Sequence, residues 1–128
     1  MEVEIALDPS ADAPARARAV IARRFADKLP AASYQDLRVV VTELVTNAVK
    51  YGSSEGIRVW LHTSGALVRG EVVDGGKGGA RVDHDHAFEG KGLGLQIVDA
   101  LCSAWCNPPG AGRVWFQLHV ADRAVVEV

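Results

Sequence analysis

The chain opens on strict alternation, with Val3, Ile5 and Leu7 apolar and Glu2, Glu4 and Ala6 between them. A period of two is that of a strand with one buried face. Asp8-Pro9-Ser10 breaks the alternation, and the period lengthens. Ser10 can cap a helix, and Val20, Ile21, Phe25 and Leu29 recur at helical spacing, predicting a helix over residues 10–29 that Pro30 stops. A second helix is expected to open at Ser33, with Asp36 three residues on in the manner of a capping box. Its apolar stripe is Leu37, Val40, Val41, Leu44, Val45 and Ala48, and Gly52 ends it.

Residues 57–62 and 66–73 read as two strands joined by a Thr63-Ser64-Gly65 turn. A third helix follows Gly94, with Leu95, Val98, Leu101, Cys102 and Trp105 on its inner side. Residues 113–120 alternate as a strand, and 125–128 form a short final one. Strands and helices mix without a regular βαβ rhythm, which predicts an α+β class. The expected architecture is a two-layer sandwich, a mixed, mostly antiparallel sheet covered on one face by three helices. One domain over residues 1–128 is expected, with no repeat or linker.

Composition narrows the function classes. The chain has 128 residues, 48% of them hydrophobic, so it can bury a core without disulfide or metal staples. A formal net charge of −2 leaves no basic footprint for nucleic acid. Arg16, Arg18, Arg23 and Arg24 cluster on the first helix and read as a solvated face. The acidic start does not look like a secretory leader, and no apolar run approaches the roughly 20 residues a membrane span needs. Cys102 and Cys106 lack a disulfide framework and read as reduced core residues. A cytoplasmic protein is expected.

Two polar residues interrupt the second helix. Glu43 and Asn47 stand four apart, hence on one face and one turn from each other. They could be a solvated pair beside Lys50. They could equally carry chemistry: an amide oxygen suits Mg²⁺, and a carboxylate one turn away can accept a proton from a hydroxyl. Asp74 ends a strand at Val72-Val73-Asp74-Gly75-Gly76. Asp-Gly is a turn signal, but a fixed carboxylate there could also accept a hydrogen bond from an exocyclic amine and reject a carbonyl. Such a contact can discriminate by on the order of 10⁴-fold.

Glycines cluster at 75–79 and at 90–94, and the second cluster runs into a helix. They could be a hairpin turn and a helix start, or a cradle for phosphate at the helix N-terminus. A Walker loop would put glycine where Asp85 stands and Ser or Thr where Gly92 stands, and the βαβ setting of a Rossmann fingerprint is absent. The run Asp83-His84-Asp85-His86 invites a metal reading, alone or with Cys102 and Cys106, but the spacing does not make a zinc site.

In order, the chain supplies Glu-x-x-x-Asn on a helix, Asp-x-Gly-x-Gly after a strand, a polar stretch, and Gly-x-Gly-x-Gly entering a helix. That order resembles the GHKL ATPase superfamily, the Bergerat nucleotide fold of gyrase B, sensor histidine kinases and MutL. The resemblance is nearest to the bacterial anti-sigma-factor serine kinases, through LDPS, VVTELVTNAVKYG, VVDGGKGG, GKGLGLQIVDALCSAW and GRVWFQL. Tyr51 and Lys77 depart from the family's usual residues without removing a motif ligand.

The resemblance implies roles. Glu43 matches the general base and Asn47 the Mg²⁺ ligand. Asp74 matches the residue that takes the adenine amine, with Gly76 and Gly78 shaping the pocket. Residues 80–89 match the ATP lid, and Gly90, Gly92, Leu93 and Gly94 the phosphate-holding segment, with Lys91 reaching toward the outer phosphates. The implied function is transfer of the γ-phosphate of Mg-ATP to a serine or threonine of an anti-sigma-factor antagonist, with a sigma factor as a second protein partner. The alternative is a non-catalytic module that binds ATP and sequesters a transcription-regulatory partner. Relatives often dimerise, and a homodimer is compatible with this chain. Direct nucleic-acid or membrane binding is not expected.

Overall fold

The computed structural model describes residues 1–52, 55–75, 93–108 and 111–120, with Leu93 in its main chain only. The elements are β1 (Glu2–Leu7), α1 (Ala13–Phe25), α2 (Ala31–Tyr51), β2 (Ile57–Ser64), β3 (Leu67–Val73), α3 (Leu93–Leu101), β4 (Ala104–Cys106) and β5 (Arg113–His119). The strands form one sheet in the order β1-β2-β3-β5-β4, and each pairing is antiparallel. The described helices pack on one face of it, an α+β two-layer sandwich as expected.

Alternation decides which side of each strand faces the helices. Val3, Ile5 and Leu7 of β1, Ile57, Val59 and Leu61 of β2, and Val68 and Val72 of β3 are buried, as are Phe116 and Leu118 of β5. The opposite face carries a row that the register aligns across the strands: Glu4, Trp60, Glu71, Trp115 and Cys106. Between β2 and β3, Ser64 pairs with Leu67, and Gly65 takes φ +59. A two-residue hairpin loop favours that sign, which glycine reaches without steric cost.

At the sheet's centre a gap in the side chains is filled from next door. Gly70 pairs with Phe116, and a β-carbon on Gly70 would overlap the Phe116 ring and lie 2.9 Å from Leu61 Cδ2. The ring therefore occupies the space a side chain on β3 would need.

The helices lie on this surface through regular stripes. Buried positions on α1 are Ala13, Ala17, Ile21 and Phe25, each one turn from the next, and Pro14 in the first turn costs no helical hydrogen bond. On α2, Leu37, Val40, Val41, Leu44, Val45 and Ala48 are buried, the stripe expected from sequence.

Several boundaries differ from the sequence reading. The first helix begins at Ala13, because the Ser10 hydroxyl bonds Asp12 Oδ1 at 2.5 Å and takes no capping role on the helix. It ends at Phe25, with Leu29 beyond it still packed on the core. The second helix begins at Ala31 after Pro30, so Ser33 is an interior, buried residue and the capping box with Asp36 does not form. The third helix stops at Leu101, and Trp105 belongs to β4, where it pairs with Phe116 and donates from Nε1 to Asp99 Oδ1 at 2.8 Å. Cys106 then falls on the helix-free face beside Trp115, which corrects its expected place in the core. The expected strand at 125–128 lies outside the described residues. Among the described residues no helix is long and apolar enough to cross a membrane.

Candidate functional site

Burial of Leu44, Val45 and Ala48 fixes the rotation of α2 about its axis. Glu43 and Asn47 consequently emerge at the margin of the core, both half-buried. A rise of 1.5 Å per residue puts Asn47 about 6 Å beyond Glu43 along the axis and Gly52 about 7.5 Å further. Next to them, Thr42 is held on the side of α1: Arg18 Nη1 donates to its hydroxyl at 3.1 Å, and Thr46 Oγ1 donates to its carbonyl at 2.7 Å. The Arg18 bond ties the middle of α2 to α1, and the Thr46 bond stays within α2.

Glu43 meets the start of α3. A β-carbon on Gly94 would sit 2.5 Å from Glu43 Oε1, 3.5 Å from Cδ and 3.7 Å from Cβ. The carboxylate thus rests against the bare α-carbon of the second residue of α3. Leu95 and Val98, both buried, anchor that helix on the core and keep the contact in place. The sequence reading gave Gly94 only a phosphate-holding part, and its contact with Glu43 was not foreseen.

Asp74 meets the other end of α2. It follows β3 directly, and its N–H donates to the Gly112 carbonyl at 2.9 Å, carrying the β3–β5 ladder one residue past the strand. The following Gly75 takes φ +68. A β-carbon on Gly52 would lie 2.7 Å from Asp74 Cβ and 2.8 Å from its Oδ2. The fold therefore ranges the predicted residues along one helix: Gly94 against Glu43, Asn47 between, and Asp74 against Gly52. Gly76, Gly78, Gly90, Lys91 and Gly92 lie outside the described residues, as does the expected lid at 80–89, including His84 and His86.

The cysteines stand apart from this group. Cys102 packs against the core just after α3, and burial, with the negative charges of Asp36 and Asp99, pushes its thiol up to about 12. A thiol so raised stays protonated at neutral pH and is a weak nucleophile.

Residues 32–128 match the family model described as histidine kinase-, DNA gyrase B-, and HSP90-like ATPase. Among solved structures, the chain is similar to the crystal structure of the RsbU and RsbW domains of Rv1364c from Mycobacterium tuberculosis, at 27% sequence identity and a TM-score of 0.69. The similarity covers 92% of this chain and 31% of that one, so this chain spans about a third of that chain's length. Since the family model takes in most of the sequence, including the whole of α2 from its second residue, the chain belongs to the histidine kinase-, DNA gyrase B- and HSP90-like ATPase family.

Proposed function

We propose that this chain binds ATP and passes its γ-phosphate to a serine or threonine hydroxyl of a protein partner, as anti-sigma-factor kinases do to an anti-sigma-factor antagonist. A sigma factor is the second partner in this reading. One observation carries it. Glu43 and Asn47 share a half-buried helix face whose two ends meet Gly94 and Asp74, the residues on which the nucleotide motifs turn.

The roles follow from chemistry. Asp74, at the strand end, accepts the adenine amine, and Gly76 and Gly78 line the base pocket. The Asn47 amide oxygen is a neutral, hard donor at the core margin with a carboxylate one turn away. That donor set fits Mg²⁺, which takes a few protein oxygens and keeps its remaining waters and phosphate oxygens. When bound, the ion supplies charge neutralisation for the triphosphate. Gly90, Lys91, Gly92 and Leu93 hold the phosphates where the first N–H groups of α3 lack helical partners. Glu43 takes the proton of the attacking hydroxyl as its oxygen bonds to the γ-phosphorus and the bond to ADP breaks. Phosphoryl transfer asks mainly for such positioning and needs no covalent enzyme intermediate.

The test is incubation of the protein with Mg²⁺, γ-labelled ATP and candidate antagonist proteins. Wild type should label a serine or threonine. Glu43→Ala should keep ATP affinity within about threefold and lose transfer by on the order of 10²-fold or more, the usual worth of a general base. If wild type transfers nothing, and ATP only changes how tightly a partner is held, the protein is a nucleotide-dependent binding module and not a kinase.

A further inference from the structure

Gly52 closes α2, with its N–H donating to the Ala48 carbonyl at 2.9 Å. Its backbone is extended, at φ −84 and ψ −174, a conformation open to any residue. Conformation therefore does not explain a glycine here. Space does. A β-carbon at this position would lie 2.6 Å from the Ala48 oxygen, 2.7 Å from Asp74 Cβ and 2.8 Å from Asp74 Oδ2. All three are closer than carbon approaches such atoms in well-packed protein.

Neither neighbour has an easy retreat. The Ala48 oxygen is held by the hydrogen bond that ends the helix. The Asp74 main chain is held by its N–H donating to Gly112, so its β-carbon cannot move without pulling the end of β3 off β5. Rotation about χ1 could swing the carboxylate aside but would leave the β-carbon clash in place. Any side chain at position 52 must therefore part the end of α2 from the end of β3.

From this we infer that Gly52 is a positioning residue for base recognition: its missing side chain sets the spacing between the Asp74 carboxylate and the helix that carries Asn47. The inference rests on the reading of Asp74 as the adenine-binding carboxylate. The base and the phosphates of one nucleotide are joined through a single ribose of limited span, so moving one reader relative to the other weakens simultaneous engagement. The loss falls on discrimination of the base, because a displaced carboxylate no longer rewards the exocyclic amine or penalises a carbonyl.

The experiment measures affinities for ATP and ITP, with Mg²⁺, in wild type, Gly52→Ala and Asp74→Asn. ITP has a carbonyl where ATP has the amine, and the same triphosphate. Gly52→Ala should lower the ATP-over-ITP preference by about tenfold or more while ITP affinity stays within about threefold, the pattern of a lost polar contact with the phosphate site intact. Should Asp74→Asn leave the preference unchanged, Asp74 does not read the base and the underlying reading falls. Should Asp74→Asn collapse the preference while Gly52→Ala preserves it, the spacing inference alone is overturned. If Gly52→Ala does not fold, the double variant Gly52→Ala with Asp74→Gly is heated beside it. Recovery of a cooperative unfolding transition supports the Asp74 contact as the obstacle; no recovery assigns the obstacle to the Ala48 oxygen and overturns the Asp74 spacing.

Discussion

The carboxylate of Glu43 lies against the α-carbon of Gly94, so close that a methyl group there would stand 2.5 Å from Oε1. Two helices that share no sequence neighbourhood thus meet at the proposed base. The contact gives Gly94 a duty separate from any main-chain approach to phosphate. It also limits where the Glu43 side chain can go, since one side of its carboxylate is walled by the first turn of α3.

Gly94→Ala separates these duties. The added methyl should push the carboxylate off its place, and a displacement of about 1 Å at a reacting group can cost on the order of 10²-fold in rate. Transfer should fall by at least tenfold while ATP affinity changes by less than about threefold. Titration with a fluorescent ATP analogue beside a transfer assay reads both. Equal losses in affinity and transfer would mean that Gly94 serves the phosphates and not Glu43.

Asn47 is tested through the ion. If its amide oxygen binds Mg²⁺, wild-type affinity for ATP should be higher with Mg²⁺ than with EDTA, and Asn47→Ala should bring the two values within about twofold of each other. Calorimetric titration under both conditions measures this. A variant that keeps the full Mg²⁺ dependence would remove Asn47 from the ion's coordination.

Much of this arrangement is legible in the sequence. The stripe on α2 held residue for residue, because a six-position apolar repeat around Leu37 to Ala48 admits one helix rotation, and that rotation dictates where Glu43 and Asn47 emerge. The strands β1 and β5 were legible because each alternates over six residues or more, and β2 and β3 because two strand-like runs flank a turn at Thr63-Ser64-Gly65. The short β4 was not: Ala104, Trp105 and Cys106 are too few to show a period and continue the apolar spacing of α3. Ser33 misled because a serine before an apolar stripe looks like a cap, whereas Pro30 supplies the entry angle and the helix starts at Ala31. The contacts of Gly52 with Asp74 and of Gly94 with Glu43 were beyond reach, since a glycine's unused space belongs to whatever tertiary neighbour fills it.

The same logic applies in the core. Gly70→Ala inserts a methyl group into the Phe116 ring, and neither β3 nor β5 can shift without disturbing the centre of the sheet. Overpacking of this kind costs about 1–3 kcal/mol. Urea unfolding should show that loss, and Phe116→Leu in the Gly70→Ala background should return part of it by vacating the ring's space. A Gly70→Ala protein as stable as wild type would mean the ring moves freely, contrary to its complete burial.

Cys102 gives the fold a dependence on alkaline pH whose sign can be worked out. Its thiol is pushed from the ordinary 9.0 to about 12, first by burial and then by the charges of Asp36 and Asp99. Above pH 9 the unfolded chain loses this proton while the folded chain keeps it. The folded state then binds more protons, so stability is full below pH 9 and falls as pH rises toward 12. The side chain is only half-buried, and solvent screening makes the decline shallower than the shift alone implies. Urea unfolding at pH 8, 9.5 and 10.5, compared between wild type and Cys102→Ala, isolates the effect, because every other alkaline group is common to both. The variant should be less stable at pH 8, having lost a packed side chain, yet should decline less steeply. Parallel declines would show that the thiol titrates alike in the folded and unfolded chains, and that the two aspartates do not act on it.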